Sequence, residues 1–361
     1  MRRRDILAGA GSIATGASLS FPVPAIAQNI RELKMVTAWP KNSLGLQTSA
    51  ERLAQSITVM SDGHLKVTVY PADTLVRPFE VFDAVATGVA DMYHSTDYYF
   101  GAKSPALNFF TSVPYGLTAD ELCAWIDFGG GQALWDEVDA PFNIKPLMAS
   151  NTGVNMGGWF HKEVHTPEDF KGLRYRMPGL GAEVLRRMGA IVVNLPGGEI
   201  VGALKSGAID ASEWVGPWMD IDLGLDKAAD YYYYPGFHEP GVGSTLGLNK
   251  TVWDGLATSE QALIEAAAHA EVTRSLAQFN AENVKWLKVL RADKRIKVLR
   301  FSDELIREFG NLSKEVLADT AAKDPLTRKV HDSYMSFLTG IMDWDELSET
   351  GYRKTRRLAL E

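Results

Sequence analysis

Two stretches of this chain repeat one another. Ala84-Val85-Ala86-Thr87-Gly88-Val89-Ala90-Asp91 aligns with Ala203-Leu204-Lys205-Ser206-Gly207-Ala208-Ile209-Asp210, every position of the second lying 119 residues after its match. In each copy an amphipathic helical run stops at a glycine, the chain reverses, and a short apolar run carries an aspartate. Helix–glycine–strand joints are common in α/β proteins, so the octamer alone is weak evidence of a repeat. The segments that precede each copy agree in type as well: strand, helix, strand, helix, strand. In the first copy these are Leu33–Ala38, Gly45–Met60, His64–Tyr70, Phe79–Thr87 and Val89–Tyr93. Strands alternating with helices imply parallel βαβ units. The repeat therefore predicts two α/β domains of similar plan, the second starting near residue 150. A chain of 361 residues is long enough for both. Two such domains leave a cleft between them, a common seat for a small ligand.

The N-terminus reads as a targeting segment. Met1-Arg2-Arg3-Arg4-Asp5 is basic, Ile6 to Phe21 is apolar and rich in Gly and Ala, and Ala25-Ile26-Ala27 offers a cleavage site before Gln28. Arg3-Arg4-Asp5-Ile6-Leu7 resembles a twin-arginine export motif, and the weakly hydrophobic run that follows suits that route. The alternative is an N-terminal anchor or tail. No later stretch has the length of apolar sequence that spans a membrane. The expectation is an exported, periplasmic protein. Loss of residues 1–27 removes three arginines and one aspartate, so the formal charge moves from −8 to −10. Such an acidic chain has no basic footprint for nucleic acid. Its hydrophobic and charged fractions, 46% and 23%, exclude a disordered chain.

The first domain is expected over residues 28–150, completed by part of 240–301, and the second over 151–239. Ser259–Leu290 reads as a long helix and Ile296–Phe301 as a strand. Ser302 caps a helix over Asp303–Ala321 that breaks at Pro325. Helices over Leu326–Trp344 and Asp345–Arg357 then make residues 302–361 a helical end, with a possible dimer contact.

Familiar catalytic cassettes are missing. There is no G-x-S-x-G elbow, no phosphate-binding G-x-x-x-x-G-K-[ST] loop and no H-E-x-x-H. Cys123, the only cysteine, lies on an apolar helical face and reads as core. His161 and His165 have the spacing of a zinc pair, but Pro167 begins a new helix and breaks the continuous one such a pair needs. The other histidines read as surface or satisfied core. This pattern favours binding over catalysis.

Four segments can supply a binding site. Thr152–Phe160 reads as an alternating strand with glycines, where Asn155 offers both donor and acceptor, or else only a turn bond. In Leu173-Arg174-Tyr175-Arg176-Met177-Pro178 the two arginines share one strand face, and the strand ends just after Arg176. A guanidinium at a strand tip suits bidentate capture of a carboxylate; alternation does not separate Arg174 from Arg176. Glu213-Trp214 follows the second helix–glycine–strand joint. Tyr231–Pro240 is an aromatic-rich turn that carries Glu239. Two carboxylates and an amide oxygen would bind a hard cation such as Na+ or Ca2+.

Val36-Thr37-Ala38-Trp39-Pro40, Lys171–Gly179, Gly198–Trp214 and the Lys285-Trp286 segment, together with the signal, resemble the solute-binding proteins of TRAP transporters. Gly157-Gly158-Trp159-Phe160 and the Tyr-rich Pro235-Gly236-Phe237-His238-Glu239-Pro240 turn are similar to the subgroup that binds 2-oxo and 2-hydroxy monocarboxylates with a metal ion. The resemblance implies a two-domain periplasmic binding protein whose cleft closes on its ligand, with long C-terminal helices that can pair two protomers. It implies a small organic acid anion as ligand and TRAP membrane subunits as partners. It places the carboxylate-binding arginine at Arg176, and the metal ligands at Glu213, the backbone carbonyl of Trp214 and Glu239, with Asn155 beside metal or ligand. A glutamine stands at that position in a 2-oxo acid binder, and the shorter Asn155 loosens the substrate assignment. Tyr98 or Tyr99 faces the ligand from the first domain. The competing class is a periplasmic metal-dependent lyase or hydrolase acting on the same acids.

Overall fold

The computed structural model describes residues 30–361; the signal segment lies outside them. The chain runs β1 (Arg31–Thr37), α1 (Leu46–Met60), β2 (Leu65–Tyr70), α2 (Val81–Ala86), β3 (Met92–Ser95), α3 (Ala119–Phe128), α4 (Gly131–Asp139), β4 (Ile144–Asn151), β5 (Gly158–Phe160), β6 (Arg174–Arg176), α5 (Gly179–Arg187), β7 (Ile191–Val193), α6 (Gly197–Lys205), β8 (Ala211–Ser212), α7 (Pro217–Leu223), β9 (Tyr231–Tyr234), β10 (Gly243–Asn249), α8 (Lys250–Asp254), α9 (Thr258–Ala292), β11 (Lys297–Arg300), α10 (Asp303–Ala321), α11 (Pro325–Leu347) and α12 (Glu349–Leu360). One sheet has the order β2-β1-β3-β10-β4, the other β11-β9-β5-β8-β6-β7.

The repeated octamer lies at equivalent places in the two sheets. β1 pairs in parallel with β2 and β3, as β6 does with β7 and β8. Gly88 and Gly207 both take the left-handed conformation, at φ 80° and 70°, that lets helix reverse into strand without a Cβ penalty. Each aspartate then pins its strand to the neighbour. The Asp91 carboxylate accepts from the Lys34 amide at 2.7 Å, and its own amide donates to the Lys34 carbonyl at 3.0 Å. Asp210 does the same with Arg174, at 3.0 Å and 2.8 Å. A short polar side chain that satisfies a strand-end backbone pair explains why both copies keep aspartate there.

The chain passes between the sheets repeatedly. Residues 152–157 lead from β4 to β5, and 235–242 lead from β9 to β10, which inserts antiparallel between β3 and β4. The expected strand over 152–160 is therefore only β5. Gly153 and Gly158 have φ of 71° and 117°. Between them the amides of Asn155, Met156 and Gly157 donate to Glu239, Val215 and Tyr233 instead of a strand ladder. α9 braces both halves. Ile264, Ala267 and Ala268 pack in the core under the first sheet, and Phe279 and Leu290 in that of the second. Its Glu271 is gripped by Ser49 (2.6 Å) and Arg52 (2.5 Å) of α1, while its Asn283 accepts from the Trp218 amide at 3.0 Å. α10 starts at a Ser302 cap and packs on α5; α11 starts at an Asp324–Pro325 cap and returns to the first half, where Tyr334 accepts from the Leu117 amide at 2.7 Å. α12 buries none of its residues. No helix among the described residues is long and apolar enough to cross a membrane.

Candidate functional site

β6 and β8 end side by side with Arg176 in register with Ser212, so Arg176 and Glu213 emerge together at the carboxyl ends of parallel strands, where open α/β sheets seat ligands. Arg174, two residues earlier, is drawn into a bidentate pair with Asp210 at 2.9 and 2.5 Å and stays at the half-exposed edge. Arg176 is 1% exposed. Its Nη1 donates to Glu213 Oε1, its Nε to the Leu195 carbonyl at 2.9 Å, and its Nη2 to the Tyr99 hydroxyl at 3.4 Å. The guanidinium lies 5.4 Å from the Trp214 ring, a cation–π contact. Gly197 makes room for that indole, since a Cβ there would come within 2.4 Å of it.

The two crossing segments bring in the remaining polar groups. Asn155 donates from Nδ2 to Glu239 Oε2 and accepts at Oδ1 from Thr152 Oγ1 at 2.8 Å. The segments touch at Gly236, whose amide donates to the Asn155 carbonyl at 3.0 Å; a Cβ would meet that oxygen at 2.7 Å. Asp220 holds the Glu213 loop from behind, accepting from the Val215 amide (3.0 Å), Trp159 Nε1 (2.9 Å) and the Tyr232 hydroxyl (2.7 Å).

His238 belongs to the same cluster, and the sequence reading did not single it out. It is core, but not satisfied core: neither ring nitrogen has a hydrogen-bond partner. Nε2 lies 3.5 Å from Glu213 Oε2, itself unpartnered, and 3.8 Å from Glu239 Oε2. Glu213, His238 and Glu239 present ligand atoms within 4.8 Å of one another. The only hint in the sequence was a histidine beside a candidate carboxylate. His161 and His165 do not join: His161 Nε2 meets the Ala228 carbonyl and His165 a surface Glu163.

Tyr98, Tyr99, Asn155 and Trp214 line one small space with Trp39 and Val215. It encloses about 10 Å³ between residues of the two sheets' carboxyl-end segments. A larger cavity of about 540 Å³ lies elsewhere, over Thr118, Val154, Pro240, Leu276, Trp344 and Arg353. Its charged groups face solvent, whereas the small space adjoins the buried titratable cluster, which is the better site.

Electrostatics sharpen that choice. Burial pushes Glu213 up to about 7 against the pull of Arg176. Burial, reinforced by the charge of Glu213, pushes Glu239 up to about 7 as well. Burial works against the charged guanidinium, yet Glu213 and the two tyrosines hold Arg176 above its ordinary value. Burial lowers His238, keeping its imidazole neutral. Burial raises Tyr98 and Tyr99, which stay as neutral hydroxyls. With both carboxyls ionised, two negative charges face one fixed positive charge, and an unpartnered carboxylate oxygen and imidazole point at the same place. That donor set fits a cation.

The comparisons with known proteins agree with this geometry. Residues 35–324 match the family described as bacterial extracellular solute-binding protein, family 7. A monocarboxylate 2-oxoacid-binding periplasmic protein of Nostoc sp. is 40% identical over 359 residues, 98% of each chain. A TRAP transporter solute-binding protein of Bordetella bronchiseptica, solved with calcium and picolinate, superposes with a TM-score of 0.90 at 32% identity, over 92% of this chain and 98% of that one. Another, from Pseudoalteromonas atlantica, holds sodium and pyruvate; its TM-score is 0.87 at 33% identity, over 90% of this chain and 99% of that one. Proteins of this kind are receptors, which leaves the lyase or hydrolase reading without support. The span of the family match and the 40% identity along the whole chain, on the two-sheet fold, make the chain a member of family 7 of the bacterial extracellular solute-binding proteins, as its sequence motifs implied.

Proposed function

We propose that this protein captures a small 2-oxo or 2-hydroxy monocarboxylate in the periplasm, bridged to the site by a Na+ or Ca2+ ion, and delivers it to TRAP membrane subunits. The observation that carries this reading is the buried Arg176–Glu213–Glu239 cluster at the strand ends. Arg176 Nη2, held only by the long bond to Tyr99 among the described residues, is the donor free to take a ligand carboxylate. Glu213, Glu239 and the Trp214 carbonyl would hold the cation, and the cation would take the ligand's 2-oxygen and one carboxylate oxygen.

Charge supports a divalent or monovalent ion in that place. Two glutamates, one arginine and a monoanion sum to −2, which Ca2+ neutralises and Na+ halves. Asn155 turns its amine to Glu239, so in this arrangement it orients that carboxylate; its oxygen reaches a cation only if the amide turns over. Tyr98, Tyr99 and Trp214 wall the space. We assign β1–β4 with β10 to one lobe and β5–β9 with β11 to the other. α12, whose Tyr352, Leu358 and Leu360 are exposed, is the surface we assign to pairing with a second copy.

The test is a thermal-shift screen of C2–C6 oxo, hydroxy and dicarboxylic acids on chelator-treated protein, with Na+, Ca2+ or neither. A true ligand at 100 times its dissociation constant stabilises by about 2.7 kcal/mol. Stabilisation by pyruvate or lactate that needs the cation is the expected result. Stabilisation by dicarboxylates alone, or by no acid, refutes the reading.

A further inference from the structure

We propose that two buried acids of the first half, Asp97 and Asp139, seat the Tyr98–Tyr99 wall of the ligand space, Asp97 as an ionised positioning residue and Asp139 beside it as a neutral acid. The inference rests on the proposed function only in taking that wall to face a bound acid.

Asp97 opens the short helical turn Asp97–Phe100, on which both tyrosines stand. Its carboxylate accepts from the Tyr93 hydroxyl of β3 at 2.9 Å and from Trp135 Nε1 of α4 at 3.0 Å. The amides of Asp97 and Tyr98 both donate to Thr111 Oγ1, at 3.0 and 3.3 Å. Tyr98 and Tyr99 then meet edge to face with ring centroids 4.8 Å apart, and the Tyr99 hydroxyl accepts from Arg176 of the second sheet at 3.4 Å. One carboxylate thus ties the turn to both strand and helix, and its bonds are stronger when it is ionised.

Asp139 lies one helical turn after Trp135, on the same face of α4. It is wholly buried, and neither carboxyl oxygen has a hydrogen-bond partner among the described residues. The lysines of the elements packed on α4 are committed elsewhere. Lys145 of β4 holds Asp136 at 2.7 and 2.9 Å, and Lys329 of α11 holds Glu137 at 2.5 Å. α3 and the Pro105–Phe110 segment, which also pack on α4, contain no basic residue. The groups that act on Asp139 are Asp97 and Asp136, and it faces the Tyr93 phenol as Asp97 does. A carboxylate in that place would give up its hydration and gain no donor, so the group keeps its proton. Burial, then the charges of Asp97 and Asp136, hold Asp139 well above the ordinary carboxylate range. Burial raises Asp97 only to about 6, because the bonds from Tyr93 and Trp135 favour its ionised form. The carboxyl with donors carries the charge, and the one without them stays neutral and spares it a like charge nearby.

The test uses the whole protein at pH 7. The infrared difference between wild type and Asp139→Asn should contain the carbonyl stretch of a protonated carboxyl, which moves to lower frequency in D2O. Calorimetry with pyruvate in CaCl2 then reads the wall. Asp139→Asn should stay within about twofold of wild type, because asparagine keeps the shape and neutrality of the protonated acid. Asp97→Asn, folded by near-ultraviolet circular dichroism, should bind pyruvate about tenfold more weakly, since it removes an ionised acceptor from two donors. If Asp97→Asn does not fold, Tyr93→Phe removes one of those donors and should weaken binding by more than about threefold. Absence of the protonated-carboxyl band overturns the neutral Asp139, as does an Asp139→Asn that fails to fold or loses pyruvate more than threefold. A purely structural Asp97 would lower the urea midpoint and leave pyruvate affinity of the folded variant unchanged, which overturns the positioning role and leaves the proposed function standing. Wild type that binds no 2-oxo or 2-hydroxy acid overturns the proposed function and the positioning role together.

Discussion

Arg176→Ala tests whether the guanidinium serves the ligand, the fold or both, because the two roles respond differently to pH. Arg176 and its partner Glu213 are each 1% exposed, and Glu239 nearby is buried as well. The two carboxyls stand at 4.5 when unperturbed and at about 7 in the fold. A folded value raised above the unfolded one favours the folded state fully below 4.5, and that advantage disappears as pH rises through 7. By pH 8 each such carboxyl has removed about 3 kcal/mol relative to acid. Arg176 opposes this for Glu213, so its removal should deepen the alkaline loss. We expect Arg176→Ala to be about 3–5 kcal/mol less stable than wild type at pH 8, where a buried carboxylate loses its partner. At pH 5 both carboxyls are protonated and only the lost packing remains, so the deficit should shrink. Ca2+ at pH 8 should restore part of it, because the ion replaces the missing charge. Pyruvate binding should weaken by about 2–5 kcal/mol, roughly 30-fold to 4,000-fold, and Ca2+ should not restore it. Urea unfolding followed by tryptophan fluorescence at both pH values, and calorimetry with pyruvate, read these quantities. A pyruvate affinity within threefold of wild type, or an equal loss of stability at pH 5 and pH 8, would refute the reasoning.

The remaining expectations follow from single contacts. Glu239→Gln should abolish most of the thermal stabilisation by CaCl2, and in wild type that stabilisation should be greater at pH 8 than at pH 5.5, since the ion needs both carboxyls ionised; a flat response to pH speaks against ligation by this pair. Asp220→Asn should cost about 1–3 kcal/mol in urea, as Trp159, Tyr232 and the Val215 amide lose a shared ionised acceptor. An unchanged midpoint would show that the network is dispensable. Gly236→Ala should separate the crossing segments, because its Cβ falls 2.7 Å from the Asn155 carbonyl and 2.8 Å from that of Met156. The expected loss is about 1–3 kcal/mol of stability, with weaker pyruvate binding; unaltered binding would mean that the contact does not position Asn155.

Much of the architecture was legible in the chain because it is written in local period and punctuation. α9, the Ser302 cap of α10 and the break at Pro325 follow from helical spacing and capping chemistry. The repeated octamer located two equivalent joints, and its aspartates have a local reason that sequence alone did not supply: each bridges to the strand beside it. Thr152–Phe160 failed as a strand because alternation of side chains cannot reveal where backbone amides find partners. Here three successive amides find theirs on three different segments. Arg174 and Arg176 had the same parity in sequence, and only their folded surroundings separate them: Asp210 pairs with the first at the edge, while the second is buried against Glu213, the Leu195 carbonyl and Tyr99. His238 was hidden for a related reason. A histidine in a turn has no periodic signature, and Glu213, which faces it at 3.5 Å, comes from another strand end.

The distribution of charge over the cleft bears on how an acidic protein takes up an anion. The first half contributes Trp39, Thr96, Tyr98 and Tyr99 to the wall, none of them charged. Arg176 and Glu213 stand on the second sheet, while His238 and Glu239 stand on the segment that crosses back from it. Every ionic group of the proposed site therefore stands on the second sheet or on the crossing segment, whose Phe237 carbonyl is held by the Tyr115 amide of the first half. Cation and acid could bind the second half and the crossing segment while the cleft is open, where water still screens the carboxylates and the cost of burying them has not been met. The binding of a cation and a monoanion then brings the cluster close to neutrality. Only after that does it become favourable to lay two tyrosines and a tryptophan over the site and exclude water. In this order the bulk negative charge of the protein need not repel the ligand at short range, because Arg176 and the ion dominate the field where the carboxylate lands, and closure follows from the neutrality that they create.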